Sequence, residues 1–344
     1  MGDQTVPQYF SIPENPTYGF VGIGVMGYGM ATNLRAKIPK DARFVLCEIN
    51  EARRDQFIKE CGAAVEVAHS PREVVEKADI IVTMLPRAPH VHDAFTHPLT
   101  GFLSALSSTT SPRLFLECSS IDVATSTALA KQVHSSGHGV FVDAPVSGGP
   151  AWSDAGTLTF MVGTPSAEIF ELVKPILSLM GKEENIYQCG GLGAGLATKQ
   201  LNNYLGYVGY LGLCEVMNAG LLYGLDPKIL SNVINASSGV NWNSMHHNPV
   251  KGVNPNASSA RDFKGGFTTE LAGGVIDDAV SLMENVHAET ILAANVKRVF
   301  DEARRNDKCI GMEARSVWRL FAEDGGRDLK ALKQAKRTED AGGS

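Results

Sequence analysis

The chain has 344 residues, of which 44% are hydrophobic and 20% charged, with a formal net charge of −6. That length and apolar content are enough for two domains, or three, each with a sizeable core. The modest negative charge and the lack of a basic block argue against nucleic acid or an anionic membrane surface as a partner.

The first expected element is a strand over residues 18–22. It runs into Gly22-Ile23-Gly24-Val25-Met26-Gly27 and then a helix-compatible run. This is a dinucleotide-binding fingerprint in its expected setting. Gly22 permits a tight strand-to-helix turn, Gly24 lets backbone N–H groups approach a pyrophosphate, and Gly27 lets helix and strand pack closely. The helix start adds free N–H donors and the positive end of its dipole. A second strand over 43–47 ends at Glu48, about 20 residues on, as a βαβ unit requires. Glu48 can accept hydrogen bonds from ribose hydroxyls and would repel a 2′-phosphate. With Ile49 and Asn50 following it rather than Arg, the expected cofactor is NAD rather than NADP.

Further strands are expected at 79–84, 113–118 and 139–142, with another near 158–162. Helical stretches at 51–60, 71–77 and 122–136 lie between them, the last starting at Asp122. This alternation predicts a Rossmann-like α/β fold, a doubly wound parallel sheet with ligands beyond the carboxyl ends of its strands. Leu85-Pro86 and Ser119-Ser120 fall at such ends. Asp143-Ala144-Pro145-Val146-Ser147-Gly148-Gly149-Pro150 ends an extended segment in a hydroxyl and two glycines. Exposed N–H groups and the Ser147 hydroxyl would cradle a small carboxylate.

After residue 190 strand patterns give way to helices, with candidates at 194–224, 227–238, 268–286 and 288–305. The expected division is a dinucleotide-binding domain over 17–190 and an all-α domain over 191–330, with polar ends at 1–16 and 331–344. Lys199 and Asn203 lie four residues apart on the first of these helices and share a face. Lys199 sits in a mostly apolar helix, where desolvation would lower its pKa toward general acid–base use.

The six cysteines show no CxxC spacing, and the histidines share no ligand face with nearby acids. A reducing compartment and no metal site are expected. Residues 1–17 have no apolar core and no Arg, so neither a secretory signal nor a mitochondrial presequence is expected there, which favours the cytoplasm. Residues 204–225 are apolar, but Glu215, Asn218 and several glycines point to a buried helix rather than a membrane span.

Three segments taken together, GFVGIGVMGYGMATNL, DAPVSGG and GLGAGLATKQLNNYL, resemble the β-hydroxyacid dehydrogenase family. The likeness runs from about residue 18 to at least residue 280. It implies a long helix between the two domains, a homodimer or homotetramer, and NAD-dependent oxidation of a small 3-hydroxy acid. The substrate it suggests is 3-hydroxyisobutyrate, oxidised to its semialdehyde in valine catabolism, with the mitochondrial matrix as the compartment. By motif position, Lys199 matches the catalytic lysine and Asn203 the substrate-orienting asparagine. Ser147, Gly148 and Gly149 match the carboxylate loop. Leu85, Pro86 and Ser120 match cofactor contacts, beside Gly22, Gly24, Val25, Met26, Gly27 and Glu48. Trp242 lies in a segment that forms a pocket wall.

One departure stands out. A fourth family motif resembling KDLxLA follows a GF pair. Here Gly266-Phe267 leads to TTELAGGVIDDAV, which places Gly274 at the lysine and Val275 at the aspartate, with Asp277 and Asp278 nearby. A reductase of a related carbonyl compound, or a dinucleotide-binding homologue without turnover, are the alternatives this departure raises.

Overall fold

Tyr18–Val21 is apolar throughout and buried along its length, and it becomes the central strand β1. The computed structural model describes residues 10–62, 65–106 and 112–322. Most of the expected polar ends, residues 1–9 and 331–344, lie outside that range, as does the basic stretch from Arg327 to Arg337. The chain divides into two compact units, Met1–Lys199 and Gln200–Ser344.

The strands of the first unit are β1, β2 (Phe44–Cys47), β3 (Val65–Ala68), β4 (Ile80–Thr83), β5 (Arg113–Glu117), β6 (Gly139–Asp143), β7 (Val146–Ser147), β8 (Leu158–Gly163) and β9 (Gly181–Gly190). They form one sheet in the order β3-β2-β1-β4-β5-β6-β8-β7, with β9 paired to β8. From β3 to β6 every pairing is parallel, while β8 runs antiparallel to β6 and β7. The central strands read as unbroken apolar runs because both faces are covered. Phe20, Leu46, Val82, Leu116 and Val142 enter one core, and Val21, Val45, Ile81, Phe115 and Phe141 the other. The outer strands β3 and β9 have no such run and were not expected from the sequence. β9 carries Lys182, Glu183 and Glu184 and leaves Tyr187 half exposed, as an edge strand permits.

The helices of this unit are α1 (Gly27–Lys37), α2 (Glu51–Cys61), α3 (Pro71–Lys77), α4 (Ala88–Thr96), α5 (Val123–Ser135), α6 (Pro150–Asp154) and α7 (Ala167–Leu177). Their starts follow local chemistry. Asn50 accepts from Arg53 N, Ser70 from Glu73 N with Pro71 in the first turn, and Asp122 from Thr125 N.

Helix α8 (Ala194–Tyr223) begins in the first unit and continues into the second. The second unit adds α9 (Pro227–Asn235), α10 (Trp242–His246), α11 (Thr269–Asn285) and α12 (Ala293–Ala303). Its core gathers Tyr210, Cys214, Met217, Ile276, Phe300 and Trp318. Helix α12 starts five residues later than the sequence pattern predicts, after His287 has turned to φ +55°. By length and composition α8 could cross a bilayer, yet Tyr210, Leu211, Leu213, Cys214 and Met217 pack one of its faces into the unit's own core.

Phe115 is fully buried, with Phe95 and Phe102 at centroid distances of 5.6 and 5.4 Å. Phe115→Ala should cost about 3–5 kcal/mol of unfolding free energy. Denaturant titration measures it, and a loss below about 1 kcal/mol would contradict this packing account.

Candidate active site

The carboxyl ends of β1, β2, β4, β5 and β6 lie on one edge of the sheet, and most of the expected site residues follow them. At β1, Gly22 has φ +90° and a Cβ on it would stand 2.6 Å from Met84 O. A Cβ on Gly27 would meet Gly22 O at 2.1 Å, while one on Gly24 would meet nothing within 4 Å. The turn therefore needs glycine at both ends and leaves its middle open. Val25 is 64% exposed on the rim, and Met26 is half-buried. Helix α1 starts at this turn with no side-chain cap and no acidic residue in its first turn. Open N–H groups and an uncompensated helix dipole fit the pyrophosphate of a dinucleotide.

Glu48 follows β2 and accepts from Ile23 N at 2.8 Å and Asn50 N at 2.7 Å. The carboxylate thus ties the fingerprint turn to the β2 end. Each oxygen keeps a further lone pair for a ribose hydroxyl. At β4, Leu85 packs beside Gly22, with Cδ2 2.7 Å from the position of a Cβ there. Leu85 N donates to Ser119 Oγ at 2.8 Å, so the loops after β4 and β5 are joined. Pro86 and Ser120 are exposed at their tips.

β6 ends at Asp143, and the chain turns directly into the Ser147–Gly149 loop. Ser147 and Gly149 are partly exposed and Gly148 is exposed. Gly148 has φ +140°, and a Cβ on it would strike the Trp152 ring at 2.9 Å. No other residue type fits that point of the loop.

Asp143 itself is the residue to which sequence reasoning assigned no role. Its carboxylate is buried and accepts from Gly193 N at 2.7 Å and Leu196 N at 3.0 Å, at the start of α8. Burial pushes its carboxyl up to about 6 against the pull of those donors, so near neutrality it meets the helix start as an anion. Two glycines make room for it. A Cβ on Gly163 would lie 2.3 Å from Asp143 Oδ1, and one on Gly195 2.8 Å from Oδ2. A lone acid closing an apolar strand, with glycines at the next helix start, was the available signal.

Three residues past Leu196, Lys199 keeps part of its surface open while its ammonium lies deep among protein atoms. Burial pulls it down to about 8, and among the described residues no carboxylate pairs with it. Asn203 is half-buried one turn further along the helix. In the second unit Trp242 is 54% exposed and meets the His246 ring in a tilted arrangement, with centroids 4.1 Å apart. Gly274 faces open space on α11. The Asp277 carboxylate is paired with Lys297 and Arg304, so its charge is compensated.

Comparison with known proteins agrees with these features. Residues 17–191 match the model of the NAD binding domain of 6-phosphogluconate dehydrogenase. Residues 193–320 match that of the NAD-binding domain of NADP-dependent 3-hydroxyisobutyrate dehydrogenase. A mitochondrial 3-hydroxyisobutyrate dehydrogenase of Bos taurus is 35% identical over 290 residues, 84% of this chain and 82% of its own. An NAD-dependent L-serine dehydrogenase of Pseudomonas aeruginosa is 36% identical over 73% of this chain and 80% of its own. The solved Mycobacterium tuberculosis 3-hydroxyisobutyrate dehydrogenase with L-serine aligns with TM-score 0.77 and 26% identity, covering 89% of this chain and 99% of that one. The chain belongs to the β-hydroxyacid dehydrogenase family and is an NAD-dependent 3-hydroxyacid dehydrogenase.

Asp143→Ala strands two buried N–H donors and should cost about 2–4 kcal/mol of stability. It should also lower kcat, since the start of α8 loses its anchor. Thermal unfolding and steady-state rates check both, and wild-type values in each would refute the role given to Asp143.

Proposed function

We propose that the enzyme oxidises 3-hydroxyisobutyrate to its semialdehyde, a step of valine catabolism, with NAD as the oxidant. The observation that carries this reading is Lys199, a lysine brought down to about 8 by burial on a helix anchored beside the Ser147–Gly149 loop. The substrate carboxylate would dock on the Ser147 hydroxyl and the N–H groups of Gly148 and Gly149. Asn203 would orient the substrate from the next turn of α8. Neutral Lys199 takes the hydroxyl proton as the C3 hydride leaves, and in reverse its ammonium returns that proton to the carbonyl oxygen. NAD would be held at its pyrophosphate by the Gly22–Gly27 turn and at its adenosine ribose by Glu48, with Leu85, Pro86 and Ser120 as further contacts, and its nicotinamide would supply the hydride acceptor.

L-serine is the second reading. It is also a 3-hydroxy acid, and both the Pseudomonas relative and the solved mycobacterial structure carry it in their names. Initial rates at 340 nm with a panel of 3-hydroxy acids decide between them. The lead stands if kcat/KM for 3-hydroxyisobutyrate exceeds that for L-serine, and falls if the order is reversed. With NADP in place of NAD, kcat/KM should drop, since Glu48 would face the 2′-phosphate.

A homodimer or homotetramer is the assembly we infer. Leu205, Leu222, Tyr223, Ile229 and Val233 of α8 and α9 expose apolar surface in the isolated chain. The bovine relative is named as mitochondrial, and the matrix is the compartment it suggests. Sedimentation and cell fractionation test these two points.

Lys199 must be neutral to act as base, and its folded value lies below the ordinary value of 10.5. Oxidation should therefore rise with pH through about 8 and level off above it, and carbonyl reduction should fall over the same range. Lys199→Ala should lower kcat by about 10²–10⁴-fold. Its Tm should hold or rise, because the cost of burying the charge disappears. A variant with near-normal kcat would move proton transfer to another group.

A further inference from the structure

Glu117 closes β5 and is wholly buried, and the proton chemistry of Lys199 makes no use of it. One of its oxygens accepts from Thr83 Oγ at 2.6 Å, and the other from Ser119 N at 2.5 Å. Ser119 Oγ in turn accepts from Leu85 N at 2.8 Å. Thr83 and Leu85 flank Met84, and Glu117 and Ser119 flank Cys118. The three bonds therefore close a ring across the ends of β4 and β5. That ring reaches the fingerprint as well, since Met84 O and Leu85 Cδ2 are the atoms a Cβ on Gly22 would strike.

We infer that Glu117 is a positioning residue for the dinucleotide, holding the loops after β4 and β5 at a set distance from each other and from the Gly22 turn. This rests on the reading that Leu85, Pro86 and Ser120 face the cofactor. Packing alone gives no reason for the acid, because a buried carboxyl without a cation is costly and an apolar residue would fill the space. What an apolar residue lacks is two polar atoms that reach Thr83 and Ser119 together. Burial pushes Glu117 up to about 7, with Asp143 in register across from it on β6. The Thr83 hydroxyl can donate to the carboxylate or accept from the carboxyl, so the ring closes in both protonation states.

The experiment is NAD titration of the substrate-free enzyme, by fluorescence or calorimetry, alongside kcat, KM and Tm. Glu117→Gln keeps an acceptor for Ser119 N and a donor for Thr83, so its NAD affinity should stay within about twofold of wild type. Ser119→Ala removes the acceptor for Leu85 N together with the hydroxyl's hydrogen bond to Glu117, and keeps the backbone donor to that carboxylate. It should weaken NAD about tenfold, with kcat at saturating NAD within about threefold. Folded Glu117→Ala should weaken NAD at least as much, and if that variant does not fold, Ser119→Ala decides. Wild-type NAD affinity in Ser119→Ala overturns the proposal. So does a Glu117→Gln variant that weakens NAD by tenfold or more, since the ring would then not be what matters. Pro86→Gly and Ser120→Ala separate the two levels of the argument. If both bind NAD as wild type does, the loops do not face the cofactor and the underlying reading fails. If they weaken NAD while Ser119→Ala does not, the ring alone is wrong.

Discussion

The bond from the Asp143 carboxylate to the first N–H groups of α8 is the contact on which the rest of the site depends. It joins the end of a central strand to the start of the helix that carries Lys199. The same strand end also launches the Ser147–Gly149 loop. One residue thereby sets the origin of both the proposed proton-transfer group and the proposed carboxylate cradle. An anion is suited to this place, since a helix start offers several unpaired donors and a partial positive charge. Burial opposes the charge and raises the carboxyl to about 6. Near neutrality the donors win.

Close approach imposes the next constraint. Asp143 reaches α8 only because positions 163 and 195 carry no side chain. The fingerprint turn closes only because Gly27 lets the backbone of Gly22 come near. Glu48 then links that turn to β2, and Ser119 links the β4 and β5 loops. The ligand-facing edge is thus a set of loops bonded to one another rather than separate loops on a rigid sheet. This suits a task in which a hydride donor and acceptor need a set geometry.

On α11, Gly274, the position set against a lysine by the sequence resemblance, leaves open space. The acids that follow do not project uncompensated charge from Asp277, because Lys297 and Arg304 engage it. Lys199 reaches a value of about 8 through burial alone. Burial therefore supplies the lowered value that the proposed base needs.

The sequence by itself determined the alternating sheet and its central strands, because buried parallel strands must be apolar on both faces. It also determined the fingerprint turn, because close backbone approach restricts residue type at fixed spacing, and brought the acid after β2 into view. The helix starts at Asp122 and Pro71 were legible for the same local reason. Edge strands β3 and β9 were not, since one-sided pairing at a border asks for no apolar run. Nor were the roles of Asp143, Glu117 and Ser119, each of which lies in a segment the sequence brought into view. Their partners are far away in the chain: Gly193 lies 50 residues from Asp143, and Thr83 34 from Glu117. Which distant N–H or hydroxyl a buried carboxyl meets depends on how strands stack side by side. Only the tertiary structure decides that, because hydrogen bonds act over about 3 Å whatever the separation in sequence.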